Sequence, residues 1–101
     1  MEEMTLRQAL DEFENLHLAS RNYATRSREE YINDLGDLIT FVEGSWFHRL
    51  GELSVLQIDR YLAELDRRGL AGSTRKRKAI SVRAFLAFLY REHYITNDIS
   101  K

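Results

Sequence analysis

Basic and hydroxyl side chains are the residues of this sequence whose types and spacing could do chemistry. Between Asp66 and Glu92 the chain carries eight bases and no acid. Residues 1–66 hold fourteen acids and six bases, a net charge of −8, whereas residues 67–101 hold nine bases and two acids, a net charge of +7. This segregation, which the overall net charge of −1 conceals, predicts a surface that faces a polyanion. The eight bases are Arg67, Arg68, Arg75, Lys76, Arg77, Lys78, Arg83 and Arg91.

Two predicted helices begin with hydroxyl and arginine side chains. The unpaired N–H groups and positive dipole end of a helix N-terminus favour an anion, and a hydroxyl there can cap the helix or donate to a phosphate. A serine or threonine at this position is also an ordinary N-cap, which would imply no ligand. Because both helices share the arrangement, we expect contact with a polyanion. The residues are Thr25, Arg26, Ser27 and Arg28 in one helix and Ser73, Thr74 and Arg75 in the other.

The residue types that would indicate catalysis or metal binding do not form a site in this sequence. There is no cysteine, so disulfides and thiolate metal sites are excluded. The three histidines lack metal-ligand spacing, and we expect them to be surface or partly packed residues. Asp34 and Asp37 are expected on an exposed helix face, without an apolar pocket to raise a carboxyl pKa. No glycine-rich phosphate loop is present. From these observations together we expect no cofactor, no metal and no catalytic residue.

The elements that must position the basic residues are predicted to be helices. The sequence has no proline and no alternating β pattern, and capping residues and glycines bracket its periodic apolar segments. The predicted fold class is therefore all-α, a compact four-helix orthogonal bundle. A capping box of Thr5 with Gln8 is predicted to open the first helix, and residues 17–24 to form the connector after it. The second helix is predicted over residues 25–43, before Gly44. A third helix is predicted to begin at Ser54 with Gln57 and to end at Gly69, and a fourth to cover residues 73–93.

Apolar periodicity predicts which side chains form the core. In the fourth helix, one side is apolar, while Arg75, Lys76 and Arg83 lie on the opposite side near the small residues Ala79 and Ala87. Small residues allow a helix to enter a DNA major groove while long bases reach the phosphates. The predicted core comprises Phe13, Leu35, Leu38, Leu62, Phe85, Phe88 and Leu89. Leu16 is predicted to belong to the apolar stripe of the first helix. Trp46, Phe47 and Leu50, in the connector before the third helix, are predicted to pack into the core.

The chain resembles the core-binding, SAM-like N-terminal domain of the tyrosine recombinases, also called the phage integrase family. In its second helix that family has Ser or Thr four residues before Tyr, followed by Asp-Leu, and Ser27, Tyr31, Asp34 and Leu35 match this pattern. Asp98 stands where the family usually has proline. The pattern of the family's last helix is matched by Thr74, Arg77, Ile80, Ser81, Val82, Arg83, Phe85, Leu86, Phe88, Leu89 and Glu92, and residues 94–97 resemble its exit.

The resemblance implies a domain that clamps double-stranded recombination-site DNA, with its second and fourth helices facing the major groove. It also implies assembly with other recombinase protomers on DNA, while the isolated domain is expected to be monomeric. The family's catalytic groups belong to a following domain, so no catalytic residue is expected here. The predicted DNA-binding residues, expected to line one continuous surface with the two helix N-termini side by side, are Arg26, Ser27, Arg28, Ser73, Thr74, Arg75, Lys76, Arg77 and Arg83.

Domain organisation and location follow as expectations. We expect residues 1–96 to form the DNA-binding domain and residues 97–101 to begin a linker to a catalytic domain that lies outside this sequence. No apolar run is long enough to span a bilayer and the first residues are acidic, so we expect a cytoplasmic protein with no membrane role. The alternative function is a helical protein-interaction adaptor with no nucleic-acid role, whose acidic first and second helices would form the working surface.

Overall fold

The computed structural model describes residues 4–45 and 50–100, except for the side chain of Glu52. Four α-helices account for most of this part of the chain, and it contains no β-strand. They are α1 (Leu6–Glu12), which continues as a π-helix (Phe13–Leu18), α2 (Thr25–Glu43), α3 (Val55–Arg67) and α4 (Gly72–Arg91), with a short 3₁₀-helix (Leu50–Glu52) before α3. The predicted all-α, four-helix fold class is confirmed. No helix in the described ranges is long and apolar enough to cross a membrane.

The starts of α1 and α3 and the end of α3 follow the capping residues, whereas no side chain caps the start of α2. The Thr5 hydroxyl accepts the N–H of Gln8 at 3.1 Å and the Gln8 side chain accepts the N–H of Thr5 at 2.9 Å, so the first capping box is complete. Before α3, the Ser54 hydroxyl accepts the N–H of Gln57 at 3.5 Å. Gly69 follows the C-cap of α3 with φ +71°, a left-handed conformation that suits glycine.

The first helix is longer than the sequence predicts. The predicted connector begins at His17, but the helical chain continues as a π-helix to Leu18. A π-helix closes its hydrogen bonds over five residues, so it turns the following side chains away from the α-helical stripe. Leu16, expected in the apolar stripe, is therefore 47% exposed, whereas His17 and Leu18 are buried.

The start of α4 also differs from the prediction. The helix begins at Gly72 after Ala71 as N-cap, and no side chain caps it. Ser73 and Thr74 therefore lie in the first turn and are not N-cap residues. At its other end the helix stops at Arg91. Two residues later His93 adopts φ +63°, and the N–H of Tyr94 donates to the Leu89 carbonyl at 2.9 Å.

The core lies between α1, its π-helical extension, α2, α3 and α4. Phe13 is fully buried at its centre, with its ring 5.5 Å from that of Phe85 and 5.4 Å from that of Phe88, both edge-on. Six of the seven predicted core residues are buried and Leu62 is half-buried. Leu50 is buried as predicted, whereas Trp46 and Phe47 lie outside the described residues.

Candidate nucleic-acid interface

The helix α4 presents three different sides. Its inner side is buried among the other helices, one flank contacts α2, and the remaining side faces solvent. We call the solvent-facing side the outward face. Its residues are separated by three or four positions, the spacing that keeps side chains on one side of an α-helix. The outward face consists of Lys76, Ile80, Arg83, Ala87 and Tyr90, all of them exposed.

The two bases of the outward face are available to a ligand. The side chains of Lys76 and Arg83 form no ion pair or hydrogen bond with any residue in the described part of the chain. Arg75, at the edge toward α3, has only one ion pair, to the exposed Asp66 at 3.1 Å. Exposed pairs of this kind are weak and are exchanged readily for another anion. Two free cations and one weakly held cation therefore lie on this side of α4.

On the flank of α4 that faces α2, the bases Arg77 and Lys78 are held by a buried carboxylate of α2. Asp34 is 1% exposed and accepts from Arg77 twice, from Nη2 to Oδ1 at 2.9 Å and from Nε to Oδ2 at 3.2 Å. The Ser81 hydroxyl donates to Asp34 at 2.9 Å, and Lys78 Nζ lies 3.4 Å away. The predicted exposed position of Asp34 is wrong, because Arg77, Lys78 and Ser81 satisfy the carboxylate and allow its burial. The same contacts raise the pKa of Arg77 and keep it charged.

A second carboxylate extends this network to α3. Asp37 Oδ2 accepts from the Tyr61 hydroxyl at 2.6 Å and from Arg68 Nη1 at 2.8 Å, and Lys78 Nζ lies 3.5 Å away. Partial burial favours the neutral acid, but these hydrogen bonds and positive charges outweigh it and hold the pKa of Asp37 below its usual value. Burial and the contact with Asp37 raise the pKa of Tyr61. Asp37 too is half-buried and not on an open helix face as predicted.

The predicted binding residues at the start of α2 have different surroundings. Arg26 is open to solvent, with its side chain 89% exposed and a long contact to Glu30 at 3.7 Å. Ser27 lines a groove of about 140 Å³ between α2 and α4 together with Arg77 and Ile80. Arg28 is on another side of α2, where its Nε donates to the Tyr23 carbonyl at 2.9 Å and holds the turn before the helix.

The two helix N-termini are not side by side, so that expectation is wrong. The buried His17 ring lies 6.2 Å from Tyr23, just before α2, and 5.7 Å from Phe88, near the C-terminal end of α4. The start of α2 therefore lies near the C-terminal half of α4 and not beside its N-terminus. Ser27 consequently meets the middle of α4 at Ile80, whereas Ser73, Thr74, Arg75 and Lys76 occupy its far end.

Sequence reasoning missed a buried histidine on the inner side of α4. His17 stacks on Phe13 at 4.8 Å, and its Nδ1 lies 3.0 Å from Nη2 of Arg91. Burial, with the charges of Arg21 and Arg91, lowers the pKa of His17. No group of three or more metal-ligating side chains occurs within residues 4–45 and 50–100. His17 thus belongs to the packing of the domain.

Comparison with known proteins agrees with the all-α fold. Residues 10–93 match the family model for the phage integrase, N-terminal SAM-like domain. The chain is 33% identical over 86 residues to tyrosine recombinase XerC of Listeria monocytogenes serotype 4b (strain F2365), covering 85% of this chain and 28% of that protein. It is 31% identical over 94 residues to tyrosine recombinase XerD of Chlorobaculum tepidum, covering 89% of this chain and 29% of that protein. No solved structure gives a significant match.

The fold and the family match together identify the class of protein and its family. The helix arrangement and the family match define an all-α, SAM-like domain. The chain belongs to the family of phage integrase N-terminal SAM-like domains, which confirms the resemblance seen in the motifs of α2 and α4. It spans less than a third of the length of the curated relatives described here.

Proposed function

We propose that this chain is the DNA-binding N-terminal domain of a site-specific tyrosine recombinase. It would clamp double-stranded recombination-site DNA through α2 and through the outward face of α4. The observation that carries the proposal is the pair of exposed bases, Lys76 and Arg83, that have no acidic partner in the described part of this family member. Free cations on one helix face match the phosphates of a duplex.

The spacing along α4 fits the width of a major groove. Lys76 and Arg83 are seven residues apart, which is about 10 Å along a helix axis at about 1.5 Å per residue. A major groove is about 12 Å wide, so the two side chains would reach phosphates while Ala87 allows the helix to approach closely. Arg26 and Ser27 of α2, with Arg77 in the groove between the helices, would add contacts on the same side. The proposed interface also includes Ser73, Thr74 and Arg75, whereas Arg28, on another side of α2, is left out of it.

The wider organisation is proposed on the same basis. A non-catalytic domain over residues 1–96, followed by a linker from residue 97 to a catalytic domain, would suit relatives more than three times as long as their matched segments. Because Ile99 packs against the core, such a linker would start along the surface of the domain. Other recombinase protomers on DNA would be its protein partners, with a monomeric state in isolation and a cytoplasmic location.

A binding titration with labelled duplex DNA tests the proposal. We expect binding at low salt that weakens as salt rises, with a dissociation constant on the order of 10⁻⁵ M because the isolated domain lacks a tethered partner. The triple variant Arg75→Ala/Lys76→Ala/Arg83→Ala should bind more weakly and lose about 0.9 from the log–log salt slope for each phosphate contact removed. Circular dichroism checks that the variant is folded.

A charge-matched variant provides the control. Arg7→Ala/Arg60→Ala/Arg67→Ala removes the same charge from α1 and α3, outside the proposed interface, and should keep most of the wild-type affinity. If both variants weaken binding equally, DNA is attracted by net charge and α4 is not the interface. If the folded wild type binds no duplex DNA at low salt, the DNA-binding proposal is wrong and the protein-interaction adaptor is favoured.

A further inference from the structure

An exposed aliphatic side chain lies between the two free bases of α4. Ile80 is 48% exposed, and it follows Lys76 by four residues and precedes Arg83 by three. These spacings place all three side chains on the outward face. Ile80 also lines the groove that Ser27 and Arg77 share, so it lies where α2 and α4 meet. Glu30 and the buried Asp34 line the same groove, so the free bases that flank Ile80 are Lys76 and Arg83 along α4.

We infer that Ile80 determines sequence preference by packing against the 5-methyl group of thymine in the major groove; this inference rests on the proposed function. The thymine methyl is the apolar group that the base-pair edges present in that groove. An isoleucine side chain cannot form a hydrogen bond to a base edge, but it can exclude water from a methyl group. The ligand chemistry is therefore a thymine-containing duplex.

The positions of the neighbouring side chains support a contact with bases at Ile80. Along the helix axis Ile80 lies about 6 Å from Lys76 and about 4.5 Å from Arg83. If these two bases hold the phosphates at the edges of the groove, the side chain between them points to its floor. The helix α4 contains no Asn or Gln, the residues that read adenine by paired hydrogen bonds. An apolar contact is then the means by which this part of α4 distinguishes an A·T pair.

Replacing thymine with deoxyuridine removes only the methyl group and tests the inference directly. Wild-type protein first selects its preferred sites from a random duplex library, and the affinity for a preferred duplex is then measured with each thymine replaced in turn. We expect about fourfold weaker binding at one or two positions, the loss that one buried methyl contact implies. Ile80→Ala should bind the thymine and deoxyuridine duplexes equally, whereas Ile80→Thr, which keeps one methyl, should retain part of the difference.

A control variant and the failing outcomes separate the inference from the proposed function. Leu56→Ala removes another exposed aliphatic side chain, 56% exposed on α3, and should discriminate as the wild type does. The inference is wrong if no preferred site is selected, if wild type does not distinguish the two duplexes, or if Ile80→Ala still does. In those cases DNA binding itself stands. A folded wild type that binds neither duplex overturns the proposed function as well.

Discussion

Two ion pairs on opposite sides of α4 have similar lengths and different surroundings. Arg77 contacts Asp34 at 2.9 Å, and Arg75 contacts Asp66 at 3.1 Å. The Asp34 side chain is 1% exposed and has three partners, whereas the Asp66 side chain is 72% exposed. A buried carboxylate cannot exchange its partners for water, whereas an exposed one can. The first pair fixes α2 against α4, and the second leaves its arginine available.

This difference divides a run of four consecutive bases into two groups. Arg77 and Lys78 turn toward α2 and are held by its carboxylates, while Arg75 and Lys76 turn toward α3 and solvent. Charge counting along the sequence treats all four as equivalent. Helical geometry does not, because residues two positions apart lie on roughly opposite sides of a helix. A basic run can therefore provide both internal support and an external surface.

The largest effect should come from the buried side of α4. Phe88 is 1% exposed and packs against Phe13 and His17, so Phe88→Ala should lower the free energy of unfolding by about 3–5 kcal/mol. Tyr90, 43% exposed on the same helix, is the matched position, and Tyr90→Ala should cost less than about 1 kcal/mol. Urea titrations measure both. Equal losses would show that the two sides of α4 are wrongly assigned.

The two aspartates provide the next comparison. Asp34→Ala leaves Arg77 and Ser81 without their acceptor and Lys78 with Asp37 alone, and it should cost about 3 kcal/mol. Asp66→Ala breaks only an exposed pair and should cost less than about 1 kcal/mol. The Asp66 variant should still bind DNA at least as well as wild type, because it frees Arg75. A loss below about 1 kcal/mol for Asp34→Ala would contradict the structural role of the buried pair.

A smaller effect should appear in how the free energy of unfolding depends on pH. The pKa of Asp37 is held below its usual value in the folded protein, against about 3.9 for an unfolded chain. The stability that this carboxylate contributes is present above the unfolded pKa and is lost as pH falls through the folded pKa. The free energy of unfolding should therefore decrease as pH falls from about 5 toward 2. Asp37→Asn should flatten that decrease in urea titrations across the range, and an unchanged profile would contradict the assignment.

Sequence patterns predicted the helices better than they predicted the side chains between them. Thr5, Ser54 and Gly69 mark helix ends through local hydrogen bonds and backbone conformation, which a sequence encodes directly. The π-helical extension was missed because no local pattern distinguishes it from an α-helix. As a consequence, His17 is buried at the position in the stripe where Leu16 was expected, and Leu16 is exposed.

The candidate interface was predictable in composition but not in arrangement. Motif and charge identified the bases of α4, and helical spacing placed Lys76 and Arg83 outward, where the structure has them. The burial of Asp34 was not predictable, because it depends on partners 43 to 47 residues away in sequence. The direction of α2 relative to α4 is also a tertiary property, so the relation of the two helix starts could not be obtained from either helix alone.

Backbone amide NMR during a duplex DNA titration tests the central claim, that the outward face of α4 binds DNA, most directly. Spectra of the labelled protein at low salt would locate every residue whose environment changes. We expect the largest shifts around Lys76, Ile80 and Arg83 of α4 and around Ser27 of α2, with small changes along the exposed side of α3. Shifts concentrated on α1 or α3 with α4 unchanged, or no shifts at all from a folded protein, would contradict the account.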